Sequence, residues 1–354
     1  MTDPSRPVLV IPASGANSLP RLPAYVEHGG EIACRHPADA INSRMYGFVL
    51  QAGSERLAEY CDRCFNAPTG HQEKWRPISD QVLLNFVDIP TMGSTDTGDL
   101  ELGVTHEREA AIWFPVYEPS RHEVAWAIPY MFVDSGLALA GGREVYGFPK
   151  QLGTLEIPRG PNAPAALSLN SVTFDTYARD SEAADHRVVT VTRSGGDTPL
   201  SSSGSQPRHA LDDVIHAIGV AAEPKLATGD VLGWIGDLLR EGVDALSDVV
   251  PDLVFFGHLV EMHAPMLLLK QFRDAHVPGA ACYQALVLVD LKVLEFRDGG
   301  LLPDDYEVTI ERLDGEPIAR ELGVAESGRP RIAFWLDFDF LVELGDILWE
   351  APVG

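Results

Sequence analysis

The residue best placed for covalent chemistry is a lysine beside an aromatic, glycine-rich turn. The stretch Gly141 to Gly153, GGREVYGFPKQLG, sets Lys150 just after that turn. Apolar runs precede it, Met131-Phe132-Val133 and Leu137-Ala138-Leu139-Ala140, so the turn is expected to point into the interior. Unpaired charge is costly to bury, and an amine kept from water favours its neutral, nucleophilic form. A neutral lysine adds to a ketone. The protonated imine that follows is an electron sink for breaking a neighbouring carbon–carbon bond, as when a β-keto acid loses carbon dioxide.

An ordinary lysine is almost wholly protonated at neutral pH, so the site must favour the free amine, either through a neighbouring cation or by exclusion of water. Gln151 carries no charge, and on an extended backbone its side chain points away from that of Lys150. Exclusion of water is therefore the expected cause, with Phe148, Tyr146, Phe132 and Trp113 as apolar walls. Cys61 and Cys64 form a C-x-x-C, and Cys34, His36 and His71 lie elsewhere in the N-terminal region, a set that could supply zinc. Their spacing with Leu57 and Tyr60 is helical, so two core cysteines on one helix is the simpler reading. Asp337 and Asp339 would share one face of a strand, which suits a metal or, more commonly, an exposed polar face.

The surrounding elements are mostly strands. Ser43 to Gln51 reads as a first strand, with a helix over Ser54 to Phe65. Val82 to Ile89, Ala110 to Val116 and Val124 to Val133 follow as apolar runs bounded by turn residues. Beyond the lysine, Gly153 to Ile157, Ala166 to Thr176, Arg187 to Thr192, Tyr283 to Phe296, Tyr306 to Leu313 and Ile332 to Trp349 have strand character. The pattern predicts an α+β chain built on a closed or strongly curled, mostly antiparallel β-barrel with flanking helices. Residues 1–42 read as an extended arm. Ser194 to Pro207 is a linker-like break, and Asp212 to Ala222 and Asp230 to Val250 are amphipathic helical candidates, in a chain long enough for one large domain or two ordinary ones.

The lysine segment resembles the active-site segment of the acetoacetate decarboxylase family, through Arg143, Glu144, Pro149 and Lys150 at fixed spacing. Gln151 departs from it, because the decarboxylases usually have a second lysine there. Glu109, in EREAAIWFP, matches the position of a family active-site glutamate, and Arg44, in SRMY, that of an arginine thought to meet the substrate carboxylate. Met266 to Val287, including Lys270, and the C-terminal strands are also family-like. The resemblance implies catalysis by Lys150 and Glu109, with Arg44, Gln151, Tyr146, Phe148, Phe132 and Trp113 about the substrate. It also implies a single antiparallel-barrel domain over 1–354 with a largely helical insertion at about 201–264, a small-molecule keto acid as substrate, no organic cofactor, and a homo-oligomer, and no metal site is assigned. From residue type alone, Glu109 reads as a solvated charge among Glu101, Glu107 and Arg108, and Arg44 as half of a structural ion pair.

The chain has 354 residues and a formal net charge of −25, which argues against nucleic acid or an anionic membrane as partner. No signal peptide or membrane span is read, and four cysteines fit a reducing, cytoplasmic setting. Three functions compete: decarboxylation of acetoacetate or a larger β-keto acid, a Schiff-base aldolase or dehydratase acting on a pyruvate-like keto acid, and non-catalytic binding of a small ligand.

Overall fold

The computed structural model of the protein describes residues 25–26, 33–200 and 263–352. Most of the arm, the linker-like break from residue 201 and both amphipathic helical candidates lie outside the described residues. In chain order the strands are β1 Ala38–Gln51, β2 Arg76–Pro77, β3 Gln81–Ser94, β4 Thr105–Glu118, β5 Glu123–Val133, β6 Lys150–Leu152, β7 Thr154–Glu156, β8 Ala166–Thr173 and β9 Ala184–Arg193. Then come β10 His263–Arg273, β11 Ala281–Leu301, β12 Tyr306–Ile310, β13 Ser327–Gly328 and β14 Ile332–Glu350. Short helices occupy Ser54–Cys61, Gly136–Gly141 and Ile318–Leu322. None of the described helices is long and apolar enough to cross a membrane.

Strand pairing closes the larger sheet on itself. β1 pairs with β3, β3 with β4, β4 with β5, β10 with β11, β11 with β14 and β14 with β1, all antiparallel, while a parallel contact of β5 with β10 completes the ring. One edge of β5 is shared between two partners. Trp126 and Ala127 face β10, and Met131 to Val133 face β6. A second, five-stranded sheet runs β13-β12-β9-β8-β7.

Alternation along the strands sorts the apolar residues into two cores. Met45 and Val49 of β1, Val87 and Ile89 of β3, and Phe334 and Phe338 of β14 belong to one, inside the ring. Tyr46, Phe48, Leu84, Phe86, Ile112 and Phe114 turn the other way and pack with Leu167, Val189, Val308 and the helices on the ring's outer face. Cys61 is buried and Cys64 half-buried in this outer core, each as a free thiol.

β1 begins at Ala38, earlier than the arm boundary at residue 42 suggests. Its register slips between Ala40 and Ser43, and Asn42 has φ +60°, which hides the alternation. Asp337 and Asp339 stand in ion pairs with Arg44 and Arg297, respectively.

Gly47 lies opposite Phe334 in the β1–β14 pair, and a Cβ there would overlap the Phe334 ring. Gly47→Ala should therefore destabilise the fold by about 1–3 kcal/mol through overpacking, read as a lowered denaturant midpoint with unchanged slope.

Candidate active site

A cavity of about 170 Å³ opens at one end of the ring, bounded by β3, β4, β10, β11, β14 and the segment that leads to β6. That segment is a chain of small local decisions. The Ser135 hydroxyl accepts the Ala138 N–H and caps the helix Gly136–Gly141. The helix then widens over Gly142 to Tyr146, where the N–H groups of Gly147 and Phe148 both donate to the Gly142 carbonyl at 3.1 Å. Gly147, at φ +86°, turns the chain into β6. Arg143 Nη1 donates to the Lys150 carbonyl at 3.1 Å and ties the start of β6 to the turn.

Lys150 enters the cavity. Its Nζ donates to Glu107 Oε1 at 2.8 Å, and both side chains are buried, at 8% and 2% exposure. The amine also stands 5.7 Å from the Phe148 ring centre. Gly142 leaves the space for this lysine: a Cβ there would lie 2.7 Å from Lys150 Cδ.

Glu109 lines the same cavity. Burial and the neighbouring Glu107 charge push its carboxyl up to about 7, with Lys150 opposing them. His36, also on the lining, is driven down to about 4 by burial and the Lys150 charge. At neutral pH the hydrogen-bonded Lys150–Glu107 pair is thus flanked by a carboxyl that exchanges its proton near neutrality and by a neutral imidazole.

Trp113, Tyr146 and Phe148 line the cavity as expected, joined by Met131, Met266 and Phe340. Phe132 is on the other face of β5 and packs in the outer core, because adjacent residues on a strand point oppositely. Gln151 follows the same rule, leaving Lys150's side of β6 to donate to the buried Glu316 at 3.0 Å. Arg44 is not on the lining. Its guanidinium grips Asp337 through two 2.6 Å hydrogen bonds, donates to the Gly160 carbonyl at 2.7 Å, and stacks over Trp335. The structural ion pair is its observed role.

Glu107 is the functional residue that sequence reasoning passed over. In THERE, the alternation sends His106 and Arg108 outward onto Asp88, while Glu107 and Glu109 point inward. Extending the Ala110–Val116 alternation upstream by two periods, from Ala111 through Glu109, reaches it.

A buried lysine paired with a carboxylate, at the end of a sheet closed on itself, defines the class of site. The sequence model of the acetoacetate decarboxylase family matches residues 76–213, a span that includes Glu107, Glu109 and Lys150. Solved structures share the fold. An acetoacetate decarboxylase from Legionella pneumophila aligns over 95% of this chain and 98% of its own, with 14% identity and a TM-score of 0.56. A second acetoacetate decarboxylase aligns over 90% and 92%, with 13% identity and a TM-score of 0.51. The enduracididine biosynthesis enzyme MppR in complex with pyruvate aligns over 91% and 93%, with 14% identity and a TM-score of 0.51. No curated protein matches the sequence.

Two outcomes test this geometry. A carboxyl whose folded pKa is raised stabilises the fold fully below its unfolded value near 4.5, and that contribution is lost as pH rises through about 7. Glu109→Gln should remove this slope, so its stability relative to the parent, from urea denaturation at pH 5 and pH 8, should improve by about 2–3 kcal/mol across the interval. Arg44→Ala should cost about 1.5–3 kcal/mol of stability while leaving the reactivity of Lys150 towards a keto acid intact, read by thermal unfolding beside covalent trapping.

Proposed function

We propose that the protein is a Schiff-base-forming lyase that decarboxylates a β-keto acid through Lys150. The observation that carries this reading is the 2.8 Å contact between Lys150 Nζ and Glu107 in an otherwise largely apolar cavity, with Glu109 beside it. Moving a proton along that hydrogen bond frees the amine without separating charge. The amine adds to the ketone, Glu107 serves the proton transfers of the carbinolamine, and Glu109 protonates the departing hydroxyl as water. The carbon–carbon bond electrons then move to the iminium nitrogen as carbon dioxide leaves. Protonation of the enamine carbon by Glu107, and hydrolysis of the new iminium, release the ketone and the lysine. The reaction consumes one proton, and Glu109, titrating near 7, is suited to take it from water.

The cavity's polarity favours decarboxylation over chemistry on a pyruvate-like acid. Losing carbon dioxide turns an iminium and a carboxylate into two neutral groups, a change that an apolar medium promotes. An α-keto acid in aldol chemistry keeps its carboxylate throughout and calls for a fixed cation. Among the described lining residues there is no arginine, and Lys150 is the only lysine. MppR, described with pyruvate, is a keto-acid-binding protein of this fold and supports the keto-acid class itself.

Borohydride reduction in the presence of a β-keto acid should leave a substrate-sized mass on Lys150, with carbon dioxide released in unreduced samples. Lys150→Arg should abolish both, and Glu107→Gln should slow turnover by about 10²–10⁴-fold. Carbon dioxide release that survives in Lys150→Arg, or an adduct mapped to Lys270 instead, would sink the reading. An adduct from α-keto acids without gas would favour the aldolase or dehydratase.

A further inference from the structure

We infer that the β-keto acid taken by this site carries an apolar tail well beyond the methyl group of acetoacetate, and that the tail lies along the wall running from Met266 and Leu291 out past Met92 to Leu102 and Val104. The inference rests on the Lys150 decarboxylase reading. The cavity, at about 170 Å³, is close to the ~150 Å³ that holds a six-carbon ring, so a tail of more than a few carbons would leave the chamber along its apolar rim.

The wall beyond the amine is apolar from floor to mouth. Met266, Leu291 and Val342 are buried, whereas Leu102 and Val104 line the same cavity at 65% and 56% exposure. Leu100, two residues earlier, is 46% exposed. Such a cluster loses favourable water exclusion unless something apolar covers it, and it is continuous with the chamber that holds Lys150. Val104 is built into this rim. It packs on Gly93 so closely that a Cβ there would lie 3.1 Å from Val104 Cγ1.

The charged groups gather around the amine. Glu107, Glu109, Lys150 and His36 are the acidic and basic side chains among the described lining residues, with His36 packed edge-on against Tyr146, and Cys34, Ser94 and Thr105 add only a thiol and hydroxyls. A substrate with a charged tail would meet no opposite charge along the wall. One with an alkyl or aryl tail would bury it there while its keto-acid end reached the amine.

The test uses the full-length protein with 3-oxo acids of four, eight and twelve carbons, rates being taken above the spontaneous loss of carbon dioxide and trapping on Lys150 run in parallel. kcat/KM should rise at least about tenfold from four to eight carbons, near what burying two methylenes yields. The double variant Leu102→Asp, Val104→Asp should depress kcat/KM for the twelve-carbon acid about tenfold more than for the four-carbon acid, with unchanged thermal unfolding as the control for folding. A flat or falling chain-length profile alongside normal Lys150 adducts would overturn the tail and leave the decarboxylase reading standing. An unchanged preference in the double variant would do the same. No Lys150 adduct from any of the acids would overturn the reading on which the tail depends.

Discussion

An ammonium placed in an apolar chamber needs a carboxylate within hydrogen-bond reach, and that requirement fixes much of what surrounds Lys150. Its partner, Glu107, stands on β4, whereas Lys150 opens β6, and β5 lies between the two strands. The pair therefore forms only if both pairings of β5 are in register and the side chain of Lys150 can lean across. The bare Cα of Gly142 permits the lean. The turn that delivers β6 is held by hydrogen bonds to the Gly142 carbonyl and by Arg143 on the Lys150 carbonyl. Each support is modest alone. Together they place one nitrogen.

The same site accepts a cost in stability. Burial, reinforced by the Glu107 charge, resists ionisation of Glu109, and burial, reinforced by the Lys150 charge, resists protonation of His36, so the two are displaced in opposite directions. These are strains that a purely structural core would avoid. Their concentration at one end of the ring, while the rest of its interior is filled by apolar side chains, is the pattern of a fold in which stability and reactivity are drawn from separate regions.

Much of this was legible beforehand, and the failures have physical causes. Lys150 was marked by a local motif, and Trp113, Tyr146 and Phe148 by their proximity to it or their place on a neighbouring apolar strand. Arg44 shows the limit of that method: a guanidinium announces that it will find an anion, but only the fold decides that the anion is Asp337. Glu107 was lost in a run of charges because a charged segment reads as solvated until the strand is known to continue through it. The strand Ala38–Gln51 was partly hidden by the slip near Asn42. His36 and Cys34 reach the cavity from the segment just before β1, a long-range placement that no local spacing encodes.

The divided edge of β5 has a mechanical meaning. β10 takes the half around Trp126 and β6 the half from Met131, and Pro129, which has no N–H to offer a neighbour, falls in the interval between them. Ring closure and the seating of the nucleophile thus sit in series on a single rail of backbone. Inserting or deleting one residue in the interval would shift one partner against the other by about 3.3 Å and turn side chains to the opposite face, carrying Lys150 out of the chamber even if the ring still closed. Those few residues of β5 are a gauge block that sets the separation between architecture and chemistry.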